Sequence, residues 1–215
     1  GYTFKNYTHN LSDSSSLRDN NINAIAEAPD GRFWITAGDY FEIFDPRTDR
    51  FDHSQTLFDG QLQIPLVSRT AFATDDAGNI WIGNTSIGLF RYHQQRKIVE
   101  KISTATPGHV HPTDTITAIK ADTDGNIWVC DYRGQVLCFS PNGVIVKQVQ
   151  IPQLPNNFPQ LFIDHQNTIW IYDMNSNYGL LRYLPSTGGL SMVSHESTKG
   201  RLQSNIVTSV IDVND

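Results

Sequence analysis

The sequence has 215 residues, of which 39% are hydrophobic and 18% charged, and its formal net charge is −6. This composition excludes a chain that is disordered throughout and a coiled coil. The acidic balance, without a cluster of Lys or Arg, argues against a nucleic-acid or anionic membrane partner, and no apolar run approaches the roughly 20 residues that cross a bilayer.

The tryptophans mark an internal repeat. They recur at intervals of 47, 47 and 42 residues, as Trp34, Trp81, Trp128 and Trp170. Each follows a stretch rich in turn-forming residues: 30–32, 77–79, 124–126 and 166–168. Self-similarity with a period of about 40–50 residues is typical of repeat architectures, including the blades of β-propellers.

Each unit contains four short β-type runs. In the third unit the first run is mixed (116–121) and the second is continuously apolar (127–129). In the second unit the third run alternates (89–92) and the fourth is more polar (97–103). A run that is apolar on both faces belongs inside a stack of sheets, whereas polar alternation belongs near the rim. The turn residues between the first two runs accept the positive φ of a tight hairpin.

The pattern therefore predicts an all-β fold, a β-propeller of four-stranded antiparallel blades in which tryptophan fills the wedge between blades. Four full blades are predicted over 20–55, 67–103, 115–151 and 158–196. Residues 2–8 are predicted to be a strand of a preceding blade, and 205–211 the first strand of a following one. We expect an incomplete propeller, a segment of a longer one with about seven blades, whose open blade faces favour self-association.

Motifs for catalysis and metal binding are weak. Nucleophile-elbow, phosphate-loop and His-Glu-x-x-His patterns are missing, so neither catalytic residues nor a cofactor is predicted. The stretch Asp122-x-Asp124-Gly125-Asn126 is similar to the start of a calcium loop, but Arg133 occupies the position of the bidentate Glu. His109-x-His111 lies in a connector without a third ligand nearby, and no metal is predicted there. Cys130 and Cys138 could pair in an oxidising compartment, although two separate buried thiols are the preferred interpretation.

Binding is the more credible activity. In a propeller, the connectors between blades and the hairpins between second and third strands open on one face. Sugars present C–H faces and hydroxyls together, so aromatic rings beside amide and guanidinium groups suit them. The candidate ligand-binding residues on these segments are Tyr40, Arg69, Tyr132, Arg133, Asn157 and Tyr178.

Two stretches resemble the two-component regulator propeller repeat. Ser16-Leu17-Arg18-Asp19-Asn20 with Ile22 and Ile25 matches its opening, and Trp81-Ile82-Gly83-Asn84 with Gly88-Leu89 and Tyr92 matches its later part. The likeness extends over nearly the whole chain. It departs at 164–167, which lacks the glycine, and at Asp39-Tyr40, which replaces Gly-Leu, so the turn shapes there stay open.

The resemblance implies the extracytoplasmic sensor region of a bacterial hybrid two-component system. Such sensors carry a membrane span and a histidine kinase elsewhere in the protein, and they typically respond to oligosaccharides. We therefore expect a periplasmic segment that binds an oligosaccharide, self-associates through its parent protein and performs no chemistry. Two alternatives stay open: a structural or dimerisation propeller, and part of a propeller carbohydrate-active enzyme with acids drawn from Asp39, Asp114, Asp131 and Asp173.

Overall fold

The computed structural model describes residues 4–28, 30–38, 40–53, 70–86, 88–105, 115–151, 158–173, 175–197 and 202–212. Within these ranges the chain forms sixteen β-strands and no helix. The strands make four four-stranded antiparallel sheets, and in each sheet they follow one another in chain order. The all-β fold and the four-stranded blades predicted from the repeat are confirmed.

The four sheets are called blades 1 to 4. Blade 1 comprises β1 (Ile22–Glu27), β2 (Phe33–Ala37), β3 (Tyr40–Asp45) and β4 (Arg50–Asp52). Blade 2 comprises β5 (Ala71–Thr74), β6 (Ile80–Asn84), β7 (Gly88–His93) and β8 (Ile98–Ile102). Blade 3 comprises β9 (Ile116–Ala121), β10 (Ile127–Asp131), β11 (Gln135–Phe139) and β12 (Ile145–Gln150). Blade 4 comprises β13 (Gln160–Ile163), β14 (Ile169–Tyr172), β15 (Leu180–Leu184) and β16 (Gly189–Val193).

Neighbouring blades pack face to face through apolar clusters. Trp34 of blade 1 lies in a cluster with Ile82 of blade 2, and Trp81 of blade 2 lies in another with Val129 of blade 3. Trp128 occupies the same position between blades 3 and 4. These three tryptophans are buried, as the wedge role predicts. The first strands β1, β5, β9 and β13 lie side by side, and we call them the inner strands.

Trp170 differs from the other three tryptophans. Its neighbours Ile169 and Ile171 pack towards blade 3, so strand alternation turns Trp170 to the opposite face of blade 4. No further sheet covers that face in the part of the chain that the structure describes, and Trp170 is only half-buried. The guanidinium of Arg182 lies 5.6 Å from its ring centroid. Trp170 is therefore less buried than the three tryptophans that lie between two described blades.

In blades 2, 3 and 4 an aspartate connects the turn before the second strand to the tryptophan of that strand. Oδ1 of Asp75 accepts hydrogen bonds from the peptide N–H groups of Ala77 (3.1 Å) and Asn79 (2.8 Å). Oδ2 of Asp75 accepts the indole N–H of Trp81 at 3.0 Å. The same indole hydrogen bond occurs at 2.8 Å in blade 3, from Trp128 to Asp122, and at 2.9 Å in blade 4, from Trp170 to Asp164. One carboxylate thus closes the turn and satisfies the donor of a large apolar side chain.

Two turns differ from the repeat in sequence but have the same backbone conformation. In blade 4, Asn167 takes the place of glycine and adopts φ 59°, which asparagine tolerates better than most residues. In blade 1, Ala28 takes the place of aspartate, yet the peptide N–H of Gly31 still donates to the Ala28 carbonyl at 2.9 Å. The indole N–H of Trp34 is consequently buried without a hydrogen-bond partner among the described residues.

Residues 4–19 cover the face of blade 1 that is turned away from blade 2. Leu17 is buried with Ile35 and Phe51, and the ring of Tyr7 lies 4.9 Å from that of Phe44. The Tyr7 hydroxyl donates to Asp49 at 2.6 Å. Residues 4–8, predicted as a strand, make these side-chain contacts and form no strand; residues 1–3 lie outside the described ranges.

Residues 202–212 lie beside blade 4. The peptide N–H of Gly179 donates to the Asn205 carbonyl at 3.0 Å, and that of His165 donates to the Asp212 carboxylate at 3.0 Å. The segment 205–211, predicted as a first strand, contains no strand because none of the described strands pairs with it.

We expect Asp75→Ala to lower the free energy of unfolding by about 1–3 kcal/mol, because it leaves the buried indole N–H of Trp81 and two turn N–H groups without their acceptor. Asp76→Ala is the matched control, since Asp76 is the next residue in the same turn but is exposed. Urea denaturation of both variants measures the difference. Equal losses for the two variants would contradict the structural role of Asp75.

We expect Ala28→Asp to raise the free energy of unfolding by about 1 kcal/mol, because the new carboxylate gives the indole N–H of Trp34 the acceptor that the other blades possess. The backbone of the turn already has the required form. Thermal or urea denaturation of the variant beside the unaltered protein provides the measurement. A loss of stability would show that blade 1 does not accommodate the aspartate.

Candidate functional site

The inner strands line a cavity of about 440 Å³. This volume falls within the range of about 300–1,000 Å³ that is usual for small-molecule sites. The described residues of its wall come from all four blades: Asn23, Ala24, Ile25, Thr70, Ala71, Phe72, Thr117, Ala118, Ile119, Lys120, Phe158, Gln160 and Asn175. The cavity is therefore a product of the arrangement of the blades, since no single repeat encloses it.

The wall mixes polar groups with apolar surface. Amides come from Asn23, Gln160 and Asn175, while Phe158 and Ile25 add apolar surface. Ile25 on the inner strand β1 is 60% exposed, a large value for an isoleucine. Such a mixture suits a ligand that presents both hydroxyl groups and C–H faces.

Lys120 is the one charged residue among the described residues of the wall. It lies on β9 and pairs in register with Trp128 of β10. Desolvation by the surrounding protein lowers the pKa of its ammonium group. Lys120 therefore contributes a basic group to the described wall of the cavity, in a chain whose net charge is −6.

Phe158 is held at the cavity by two independent contacts. Its peptide N–H donates to Oδ2 of Asp173 at 3.2 Å. Its ring meets that of Tyr132 edge to face, with 5.1 Å between the centroids. Blade 3 therefore positions Phe158 through Tyr132 in its hairpin, and blade 4 does so through Asp173.

Two of the four acids considered for an enzyme serve the hairpins that follow the second strands. Oδ1 of Asp131 accepts the peptide N–H groups of Arg133 (2.9 Å) and Gln135 (2.7 Å). Oδ1 of Asp173 accepts the peptide N–H of Asn175 at 2.8 Å. Both carboxylates are buried. The other two acids, Asp39 and Asp114, lie outside the described residues.

The four sequence-predicted ligand residues that the structure describes, Tyr40, Tyr132, Arg133 and Tyr178, are not among the described residues of the cavity wall. Tyr40 is exposed beneath the guanidinium of Arg18, which lies 5.3 Å from its ring centroid. Arg133 is exposed at the tip of its hairpin. Tyr132 reaches the site only through Phe158. Arg69 and Asn157 lie outside the described residues.

Tyr178 and the cysteines belong to the cluster between blades 3 and 4. Tyr178 is half-buried against that cluster, and desolvation raises its pKa to about 12. Cys130 and Cys138 are free, buried thiols. In the register Cys130 faces Val136, and Cys138 faces Trp128, so the two residues do not pair across the strands. Burial raises the pKa of Cys138 to about 12.

The calcium-like stretch is used by the fold. Both carboxylate oxygens of Asp122 accept hydrogen bonds within its turn or from Trp128. No cluster of three or more His, Cys, Asp or Glu side chains that could hold a metal ion occurs in the described ranges. His109 and His111 lie outside them.

A buried carboxylate stands apart from the cavity. Glu42 on β3 pairs in register with Ile35, at a position that is apolar in the other blades: Phe90, Leu137 and Leu181. Oε1 accepts the peptide N–H of Arg18 at 2.8 Å and lies 3.8 Å from Nδ1 of His53. Oε2 is buried without a hydrogen-bond partner among the described residues, and desolvation raises the pKa of Glu42.

The family model described as two component regulator propeller matches residues 16–39. This range contains the motif opening at Ser16 and ends just after β2. The resemblance to that repeat family is confirmed. No curated protein sequence matches the chain.

Solved structures share the fold. The extracellular domain assigned to the hybrid two-component system BT3049 of B. thetaiotaomicron superposes with a TM-score of 0.70 at 20% identity, covering 95% of this chain and 26% of that one. The extracellular domain assigned to the one-component system BT4673 of the same organism gives 0.60 at 18% identity, with 86% and 26% covered. Virginiamycin B lyase from Staphylococcus aureus gives 0.60 at 16% identity, with 83% and 57% covered.

These likenesses confirm the propeller architecture. The chain spans about a quarter of the length of the two B. thetaiotaomicron domains. Within the ranges that the structure describes, no helix is long and apolar enough to cross a membrane.

We expect Glu42→Gln to be more stable than the unaltered protein at pH 7, with the difference disappearing as the pH falls below about 4. A folded-state pKa above the unfolded value means that the folded state binds more protons, so the Glu42 carboxyl favours folding less as the pH rises. Glutamine removes this charge and keeps an oxygen for the Arg18 N–H.

Urea denaturation between pH 4 and 8 measures this difference. Glu196→Gln is the control, because Glu196 is exposed. Should Glu42→Gln be less stable than the unaltered protein at pH 7, the charge of Glu42 stabilises the fold and the prediction is wrong.

Proposed function

We propose that this chain is a ligand-binding propeller segment from the extracytoplasmic sensor region of a two-component system, and that its ligand is an oligosaccharide. The cavity along the inner strands carries this proposal, because it is of ligand size and offers amide and apolar groups from several blades. The family match at 16–39 and the fold shared with two bacterial extracellular domains support it.

The geometry suits a sensor because the cavity wall crosses blade boundaries. A ligand that contacts Thr117, Phe158 and Asn175 touches both blade 3 and blade 4 or the segments beside them. Such a ligand favours the arrangement of blades, or of the whole sensor, that brings its contacts together. A ligand shifts the populations of two arrangements only if it binds one of them more tightly than the other.

The described carboxylates favour binding over catalysis. Asp131 and Asp173 are buried and accept peptide N–H groups, which is the chemistry of a hairpin cap. A general acid or base needs a carboxyl within hydrogen-bond reach of a substrate. The structural likeness to virginiamycin B lyase concerns the fold.

Calorimetric titration of the intact protein with neutral and acidic oligosaccharides tests the proposal. We expect at least one to bind, and Asn175→Ala to weaken that binding about tenfold, equivalent to about 1.4 kcal/mol. Asn177→Ala is the matched control, because Asn177 lies in the same hairpin but is absent from the described cavity wall. If no oligosaccharide binds, or if both variants bind as the unaltered protein does, the cavity is not the site.

A further inference from the structure

Lys120 departs from the repeat. The residues that pair with the tryptophans of blades 1, 2 and 4 on the inner strands are apolar: Ala26, Ala73 and Phe162. In blade 3 this position is Lys120, which pairs with Trp128 and lines the cavity. The other three blades form the same fold with an apolar residue at this position, so the fold does not require a lysine there. We therefore attribute Lys120 to the function of the cavity.

The charge of Lys120 is not neutralised by the described protein. No described carboxylate forms an ion pair with its ammonium group, and desolvation alone accounts for its lowered pKa, without a contribution from a nearby acid. Lys120 keeps exposed surface at the cavity. An ammonium group without a neighbouring carboxylate is available there to pair with an anion. The wall offers this charge beside amide groups that suit hydroxyls.

The spacing along β9 sets a minimum length for the ligand. Thr117 lies near the hairpin end of the cavity, where its hydroxyl donates to the Cys130 carbonyl at 3.1 Å. Lys120 follows three residues later, about 10 Å further along the strand. Asn175 belongs to the hairpin end. A ligand that reaches both Asn175 and Lys120 is longer than a single sugar ring.

We propose that the cavity takes an anionic oligosaccharide of at least two sugar units, whose carboxylate or sulfate group pairs with Lys120. This proposal rests on the proposed function, because it specifies the ligand class of the same cavity. A lysine is a point charge without a fixed hydrogen-bonding plane, so it accepts either anion. The neutral sugar unit then lies towards Phe158 and Asn175.

The test is a calorimetric titration of the intact protein with three kinds of disaccharide: uronate-containing, sulfated, and carboxyl-reduced or unsulfated counterparts. We expect at least one anionic disaccharide to bind about tenfold or more tightly than its neutral counterpart. Comparison of the uronate-containing with the sulfated disaccharide shows which anionic group binds at Lys120.

Variants of Lys120 test whether this residue causes the tighter binding of the anionic disaccharide. We expect Lys120→Met to lose the preference for the anionic disaccharide and Lys120→Arg to retain it, because arginine keeps the charge. Lys101→Met is the matched control, since Lys101 is exposed on β8 and is not among the described residues of the cavity wall. Thermal unfolding of each variant verifies that it is folded before its affinity is compared.

The outcomes separate the two proposals. Binding of neutral oligosaccharides alone, or an unchanged preference in folded Lys120→Met, overturns the role of Lys120 and leaves the proposed function standing. Failure of every oligosaccharide to bind overturns both. Loss of the preference in Lys101→Met as well as in Lys120→Met assigns it to general electrostatics and also overturns the role of Lys120.

Discussion

The stacking of the blades depends on indole rings buried between neighbouring sheets, and in three of the four blades the one polar group of the indole is hydrogen-bonded. A buried N–H without an acceptor is costly, and the apolar faces of neighbouring blades offer none. In blades 2, 3 and 4 the acceptor is an aspartate of the preceding turn, whose other oxygen binds peptide N–H groups of that turn. The same side chain therefore fixes the local hairpin and orients the ring that packs against the next blade, except in blade 4.

This coupling explains how short repeats create a site that none of them contains. Stacked sheets bring the inner strands side by side, so polar residues from several of these strands contribute to a common wall. Gln160 and Asn23 are unremarkable in their own repeats, yet both line the cavity that the four inner strands enclose. The hairpin aspartates then hold neighbouring segments in place, as Asp173 does for Phe158.

Departures from the repeat are informative because the repeat supplies an internal standard. Ala28 removes an acceptor and leaves the indole of Trp34 without a partner. Glu42 places a carboxylate where three blades have apolar side chains, beneath residues of the N-terminal segment. Lys120 places a cation where three blades have Ala or Phe, and there it faces a cavity. The first two departures affect stability, whereas the third adds a basic group to the cavity wall.

The spacing of the tryptophans and the turn chemistry between them were sufficient to predict the blades, because strand alternation and hairpin formation are local properties. Sequence also identified Tyr132, but as a direct ligand contact, whereas its ring supports Phe158. The cavity itself was decided by tertiary structure, since its wall joins residues up to 152 positions apart, from Asn23 to Asn175. The half-buried state of Trp170 was likewise decided by which faces meet. A sequence motif predicts the contacts within one repeat, whereas the contacts between repeats depend on how the repeats stack.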